Sequence, residues 1–131
     1  MPTVSIIICT WNNTASLRAT IEAVGRVSVP ADLPAELVVV DNASTDDTPR
    51  VIESARLTNM PVRRLLERER GKCRALNRAL RETAGDILLF TDEDVRPPAN
   101  WIEGMCRPIS QGRADVVAGG VVFPAEYETI M

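Results

Sequence analysis

Three consecutive carboxylates, Asp92-Glu93-Asp94, follow directly on the short apolar run Ile87-Leu88-Leu89-Phe90-Thr91. Residues Ile87 to Phe90 read as a strand buried on both faces. Adjacent acidic side chains repel one another at the edge of a core, and a divalent cation is the usual compensation. In extended geometry Asp92 and Asp94, two residues apart, project to the same side. Two such carboxylates can hold a hard cation, Mg²⁺ or Mn²⁺, leaving positions for water and a substrate phosphate. The competing reading is a solvated acidic loop before a helix, since Asp-x-Asp is short and common.

Other residues with chemical potential sit at comparable places. Asp41 follows three valines and precedes the turn-rich Asn42-Ala43-Ser44-Thr45-Asp46. It reads either as a turn carboxylate that caps the next helix or as an acceptor for a ligand N–H such as a nucleobase imide. Trp11 is either a core aromatic or a lid over a planar base. Arg70-Gly71-Lys72 brings two cations and a helix start together, where a diphosphate would bind well. The alternating charges of Glu67-Arg68-Glu69-Arg70 also fit a solvated run. Asn77 reads as a helix-packing group, and Arg74 and Arg78, four apart, as solvated.

The elements that must position these residues alternate in type. Val4 to Cys9 reads as a buried first strand, and Leu17, Ile21 and Val24 then recur at helical spacing. Pro30 and Pro34 mark a loop, and Leu37 to Val40 form a second buried strand ending at Asp41. Thr48-Pro49 supplies a helix cap with proline at the first helical position, ahead of Val51, Ile52 and Ala55. A third strand covers Val62 to Leu66. Gly71 opens a helix with the stripe Cys73, Leu76, Leu80 and Thr83, and Gly85 ends it. Pro97-Pro98 break the chain after the fourth strand, before a short helix over Trp101 to Cys106. Val116-Val117 and Val121-Val122 are expected to be strand residues around Gly119-Gly120. The pattern predicts an α/β domain with a largely parallel sheet. Ligands in such sheets sit beyond the carboxyl ends of the strands, near a switch in strand order. Thr10-Trp11-Asn12-Asn13, Asp41-Asn42 and Asp92-Glu93-Asp94 all fall at such ends.

Composition narrows the function. The 131 residues suit one domain with a single core, and 45% apolar with 25% charged residues is ordinary for a globular chain. A net charge of −3 and 4% aromatic content argue against nucleic acid as the main partner. Cys9, Cys73 and Cys106 are odd in number and scattered, which disfavours zinc or a disulfide framework and suggests a reducing cytoplasm. Without histidine there is no Ser-His-Asp triad, and chemistry must run on carboxylates, Lys, Arg and backbone. The apolar run Val4 to Cys9 is too short for a signal peptide or a membrane span.

Four ordered blocks resemble the family 2 glycosyltransferases. They are Pro2-Thr3-Val4-Ser5-Ile6-Ile7-Ile8-Cys9-Thr10-Trp11-Asn12, then Glu36-Leu37-Val38-Val39-Val40-Asp41-Asn42-Ala43-Ser44-Thr45-Asp46, then Gly71-Lys72-Cys73-Arg74-Ala75-Leu76-Asn77, and finally Phe90-Thr91-Asp92-Glu93-Asp94 with Pro97, Pro98 and Trp101 after it. The likeness runs to about residue 123, with Gly119-Gly120-Val121 still in pattern. It implies a Rossmann-like GT-A sandwich over residues 1–131, with a mainly parallel sheet and helices on both faces, incomplete on its carboxyl-terminal side. It also implies a nucleotide-sugar donor of uridine or deoxythymidine diphosphate type. By this resemblance Thr10, Trp11 and Asn12 belong to the nucleotide-sugar site and Asp41 accepts the base N–H. Lys72 lies near the diphosphate, Asp92 faces ribose or metal, and Asp94 ligates Mg²⁺ or Mn²⁺. Asn42 replaces a frequent aspartate, Trp11 a frequent tyrosine and Leu76 a frequent arginine, which leaves the donor's identity open.

The expected reaction is single-displacement glycosyl transfer with inversion to an acceptor hydroxyl on a glycan, lipid or protein. The catalytic base is expected beyond residue 131, and the late acids Glu126 and Glu128 are not nominated for it. The chain therefore reads as the donor-binding part of a longer transferase, in the cytoplasm or peripheral at a membrane, with exposed apolar surface that favours a homo-oligomer. The alternative is a non-catalytic nucleotide-sugar-binding fragment. Two rivals fit less well: a haloacid-dehalogenase-type phosphatase opens on its Asp-x-Asp strand, and a sugar-nucleotide pyrophosphorylase wants a glycine- and arginine-rich loop after strand one.

Overall fold

The structure is a computed structural model, and it describes residues 1–122. Eight elements alternate along the chain: β1 (Val4–Thr10), α1 (Thr14–Val24), β2 (Ala35–Asp41), α2 (Thr48–Ser54), β3 (Val62–Leu66), α3 (Lys72–Glu82), β4 (Ile87–Asp92) and α4 (Trp101–Ser110). The four strands form one parallel sheet in the order β3-β2-β1-β4.

That order follows from the apolar content of the strands. β1 and β2 occupy the middle, and Ile6, Ile7, Ile8, Leu37, Val38, Val39 and Val40 are all sealed from solvent. Side chains alternate between the two faces of the sheet. Val4, Ile6, Ile8, Leu37, Val39, Ile87 and Leu89 meet Leu17, Ile21 and Val24 of α1, Val51 and Ile52 of α2, and Ile102 and Cys106 of α4. Ile7, Val38, Val40 and Leu65 meet Ala75 and Ala79 of α3 on the other face. The helices thus cover both faces. The chain steps outward from β1 through β2 to β3, then returns to the far side of β1 as β4. Crossovers between parallel strands keep one hand, so reversing direction moves the connecting helix α3 to the opposite face.

The structure departs from the expected elements in five places. The α3 stripe of Cys73, Leu76, Leu80 and Thr83 is not the buried one: Ala75 and Ala79 are, while Leu80 is 48% exposed. Two alanines let the helix backbone approach the sheet more closely than leucines would. Gly85 does not end α3, which stops at Glu82; instead Gly85 passes Ser5 so closely that a Cβ would lie 2.4 Å from the Ser5 hydroxyl. Asp47 occupies the cap position of α2, and Thr48 is already helical, its buried hydroxyl 3.3 Å from that of Thr14. β4 is not buried on both faces, because it is an edge strand: among the described residues it pairs only with β1, and Phe90 is 49% exposed. Val116, Val117, Val121 and Val122 form no strand, and all but Val117 are exposed. Glu126 and Glu128 lie outside the described residues.

Candidate functional site

Register places the polar strand ends side by side. Thr10 pairs with Asp41 and Cys9 with Asp92, so the ends of β1, β2 and β4 lie at one edge of the sheet. Between β1 and β4, where strand order reverses, an open cleft of about 400 Å³ is lined by Thr10, Trp11, Lys72, Asp92 and Asp94, with Asn42 and Arg70 at its wall. This is the position at which doubly wound sheets bind ligands.

Lys72, the first residue of α3, reaches Asp92 with a bond of 2.8 Å between Nζ and Oδ1. Donation to the Asp92 carboxylate holds the ammonium pKa above its ordinary value. Both side chains are more than half exposed, so the pair contributes little to stability and is open to exchange for another anion. Gly71 before it has φ 138°, a backbone conformation that disfavours any side chain. Its N–H donates 2.9 Å to the Asn42 side-chain oxygen.

Trp11 is 44% exposed, and the Arg70 guanidinium stacks over its ring, 3.7 Å from the centroid. Asn12 and Asp41 stand behind the cleft rather than in its lining. Asn12, at φ 45°, binds the β2–α2 loop: its side-chain oxygen accepts from Thr45 N at 2.8 Å and its N–H donates to Ser44 Oγ at 3.0 Å. Asp41 is almost fully buried, accepting from Ser44 N at 3.0 Å and Arg64 Nη2 at 3.3 Å. These are the partners of a turn carboxylate, although Asp41 does not cap α2, whose cap position is Asp47. Arg74 and Arg78 are not simply solvated: Arg74 pairs with Glu69, and Arg78 with Glu82 at 2.9 Å. Asn77 is exposed rather than packed.

Two residues prominent in the geometry had no role assigned from sequence. Asn42 is buried, and its amide donates to the Glu67 carbonyl at 3.1 Å and the Glu69 carbonyl at 2.8 Å. It therefore holds the segment that leads to Gly71 and Lys72. An aspartate could not donate those two bonds. Glu93 is the second. Its carboxylate accepts from the Thr10 hydroxyl and, at 3.3 Å, from the Asn13 amide, while its carbonyl accepts from Thr20. The extended strand stops at Asp92, so strand alternation does not separate the three carboxylates. These hydrogen bonds turn Glu93 toward β1.

No group of three metal-ligating side chains converges among the described residues. The donor set nevertheless fits a hard cation: Asp92 and Asp94 offer carboxylate oxygens to one cleft, whose lining holds one thiol, Cys9, and no imidazole. Two carboxylates suit an ion whose other positions are filled by phosphate oxygens and water. Cys9 beside them is a poor ligand, since burial pushes its thiol pKa up to about 11.

Comparison with known sequences decides the family: the sequence model of Glycosyl transferase family 2 matches residues 5–129. The chain belongs to glycosyl transferase family 2. Membership sets aside the phosphatase and pyrophosphorylase readings. Glycosyltransferase AglE of Haloferax volcanii is 32% identical over 126 residues, spanning 94% of this chain and 40% of that relative. The mannosyltransferase PcManGT of Pyrobaculum calidifontis, solved with GDP-Man and Mn²⁺, superposes with a TM-score of 0.65 at 34% identity, over 77% of this chain and 32% of its own. Glucosyl-3-phosphoglycerate synthase of Mycobacterium tuberculosis, solved with Mn²⁺, UDP and glucosyl-3-phosphoglycerate, gives 0.65 at 27% identity, over 82% and 39%. The family 2 chain described here thus spans well under half the length of these relatives, and its α/β sheet is that of the GT-A fold.

Proposed function

We propose that the chain forms the donor side of a glycosyltransferase, binding a nucleoside diphosphate sugar and a divalent cation, Mg²⁺ or Mn²⁺, in the β1/β4 cleft. The observation that carries this reading is the meeting of Lys72, Asp92, Asp94 and Trp11 at the strand-order switch. Relatives solved with a nucleotide or nucleotide sugar and Mn²⁺ support it. Uridine and deoxythymidine donors head the set to be tested, and the mannosyltransferase complex with GDP-Man adds guanosine.

In this reading the half-exposed Trp11 and the buried Thr10 form the base end of the cleft, with Asn12 and Asp41 holding the loops that shape it. Lys72 and the amino end of α3 receive the diphosphate, where an ammonium and free backbone N–H groups coincide. The phosphate oxygens compete with Asp92 for the ammonium, which frees Asp92 to join Asp94 in holding the cation. The cation, when bound, neutralises charge on the departing diphosphate as a Lewis acid. The acceptor hydroxyl then attacks the anomeric carbon from the opposite face, with inversion, through an oxocarbenium-like transition state. The base that takes its proton is not assigned to any described residue.

Calorimetric titration of UDP, dTDP and GDP, each with and without Mn²⁺, tests the reading. One nucleotide is expected to bind at least about tenfold more tightly with Mn²⁺ present. Binding that ignores the cation, or no binding of any of the three, contradicts it.

A further inference from the structure

Residues 62–82, from the start of β3 to the end of α3, carry eight of the fifteen Lys and Arg but three of the eighteen Asp and Glu. This segment holds a net +5 and leaves −8 on the remainder of a chain whose total is −3. Within the segment Arg63 pairs with Glu36, Arg64 with Asp41 and Glu53, and Lys72 with Asp92, so the uncompensated charge outside the cleft lies at Arg68 and along α3. Arg74, Arg78 and Arg81 recur at helical spacing along α3 and share an open depression of about 450 Å³ with Arg68, which follows β3; Glu67 and Glu69 also line it, Arg74 pairing with Glu69 and Arg78 with Glu82 beside it. Arg68 and Arg81 have no ion pair among the described residues.

We propose that this arginine flank of α3 and β3 docks the protein on an anionic lipid bilayer, with its guanidinium groups gripping headgroup phosphates. Lys72 is the only lysine in the chain, so every other cation on the flank is a planar fork suited to bidentate phosphate contact, with Arg68 and Arg81 free of ion pairs among the described residues. Attraction to an acidic leaflet fades within a Debye length of about 8–10 Å, so the positive face alone feels it. The negative remainder disfavours approach by any other face, and this orients the molecule. A nucleic acid is less well served: with 4% aromatic residues, and none lining the arginine depression, there is little on which to stack successive bases. No helix among the described residues is long and apolar enough to cross a membrane, so attachment is by surface contact. Arg81 lies nine residues along α3 from Lys72, about 13.5 Å by helical rise, which puts the cleft beside the bilayer.

Cosedimentation of the chain with phosphatidylglycerol-containing vesicles, and with vesicles of phosphatidylcholine alone, tests the proposal. The variant is Arg68→Ala with Arg81→Ala, whose folding is checked by circular dichroism. Binding to acidic vesicles only, weakened by salt and reduced about tenfold or more in the double variant, is the expected result. The proposal is overturned by absent binding, by equal binding to neutral vesicles, or by a double variant that binds like the parent. Displacement by millimolar inorganic phosphate also overturns it, in favour of a small-anion site. Displacement by a single-stranded oligonucleotide at lower concentration than free acidic lipid overturns it in favour of nucleic acid.

Discussion

The Thr10 hydroxyl donates to the Glu93 carboxylate across 83 residues of sequence, joining the end of β1 to the loop after β4. The loops after β1 and β4 make opposite walls of the cleft, one bearing Trp11 and the other Asp94. Thr10 is buried, so its hydroxyl has no water to turn to if that partner is lost. Glu93→Ala is therefore expected to cost about 1–3 kcal/mol in urea denaturation, the penalty of an unpaired buried polar group. Glu93→Gln keeps an acceptor oxygen and should recover most of the loss. Equal stability of the parent and the alanine variant would show that the tie carries no energy.

The stack of Arg70 on Trp11 gives an optical test of the base end of the cleft. Trp101 is the other tryptophan, so a Trp101→Phe background isolates the Trp11 signal. Arg70→Ala should shift the emission of the free protein and change stability by no more than about 1 kcal/mol. Saturating nucleotide with Mn²⁺ should also change that emission. An unaltered Trp11 spectrum at saturation would place the nucleotide elsewhere.

Cys9 supplies a pH dependence. Burial is the main cause of its raised pKa, opposed by Lys72 and reinforced by Asp92 and Glu93. With the folded thiol at about 11 against an ordinary 9.0, the folded chain keeps a proton that the unfolded chain releases between those values. Stability from this group is thus fully present below pH 9 and is lost as pH rises towards 11. Alkylation followed by mass spectrometry should modify exposed Cys73 well before Cys9 at pH 8, and Cys9 should accelerate as pH approaches 11. Rapid Cys9 modification at pH 8 would contradict its burial.

Gly85→Ala tests the close passage beneath the sheet. The added methyl would meet Ser5 Oγ at 2.4 Å and Ser5 N at 2.7 Å, and the backbone nitrogen belongs to a central strand. Overpacking of this kind is expected to destabilise by about 1–3 kcal/mol, read as a lowered midpoint in urea. Gly104→Ala is the control, since its Cβ would meet nothing within 4 Å.

Much of this was legible in the residues. The apolar runs of β1 and β2 announced buried parallel strands, because strands covered on both faces need few polar residues, although the equally apolar run 87–90 belongs to an edge strand. The polar residues after those runs marked the cleft. The α3 face was only partly legible: Leu76 does pack against the core on that side, yet Cys73 and Leu80 are exposed and the sheet is met by Ala75 and Ala79, whose small size decides how closely the helix approaches. Glu93 was hidden by its neighbours, since three adjacent carboxylates read as one acidic set until Thr10 and Asn13 turn the middle one away. A long-range partner of this kind has no local signal. The bonds of Asn42 to the carbonyls of Glu67 and Glu69 depend in the same way on the pairing of β2 with β3.

The central claim is that Asp92 and Asp94 hold a cation jointly with a bound diphosphate. Electron paramagnetic resonance of Mn²⁺, titrated with protein in the presence and absence of UDP, reads it most directly. The account predicts one bound Mn²⁺ per chain that needs the nucleotide, with affinity lowered at least about tenfold in Asp94→Ala and in Asp92→Ala. Undiminished, nucleotide-dependent Mn²⁺ binding by the Asp92→Ala, Asp94→Ala double variant would contradict it.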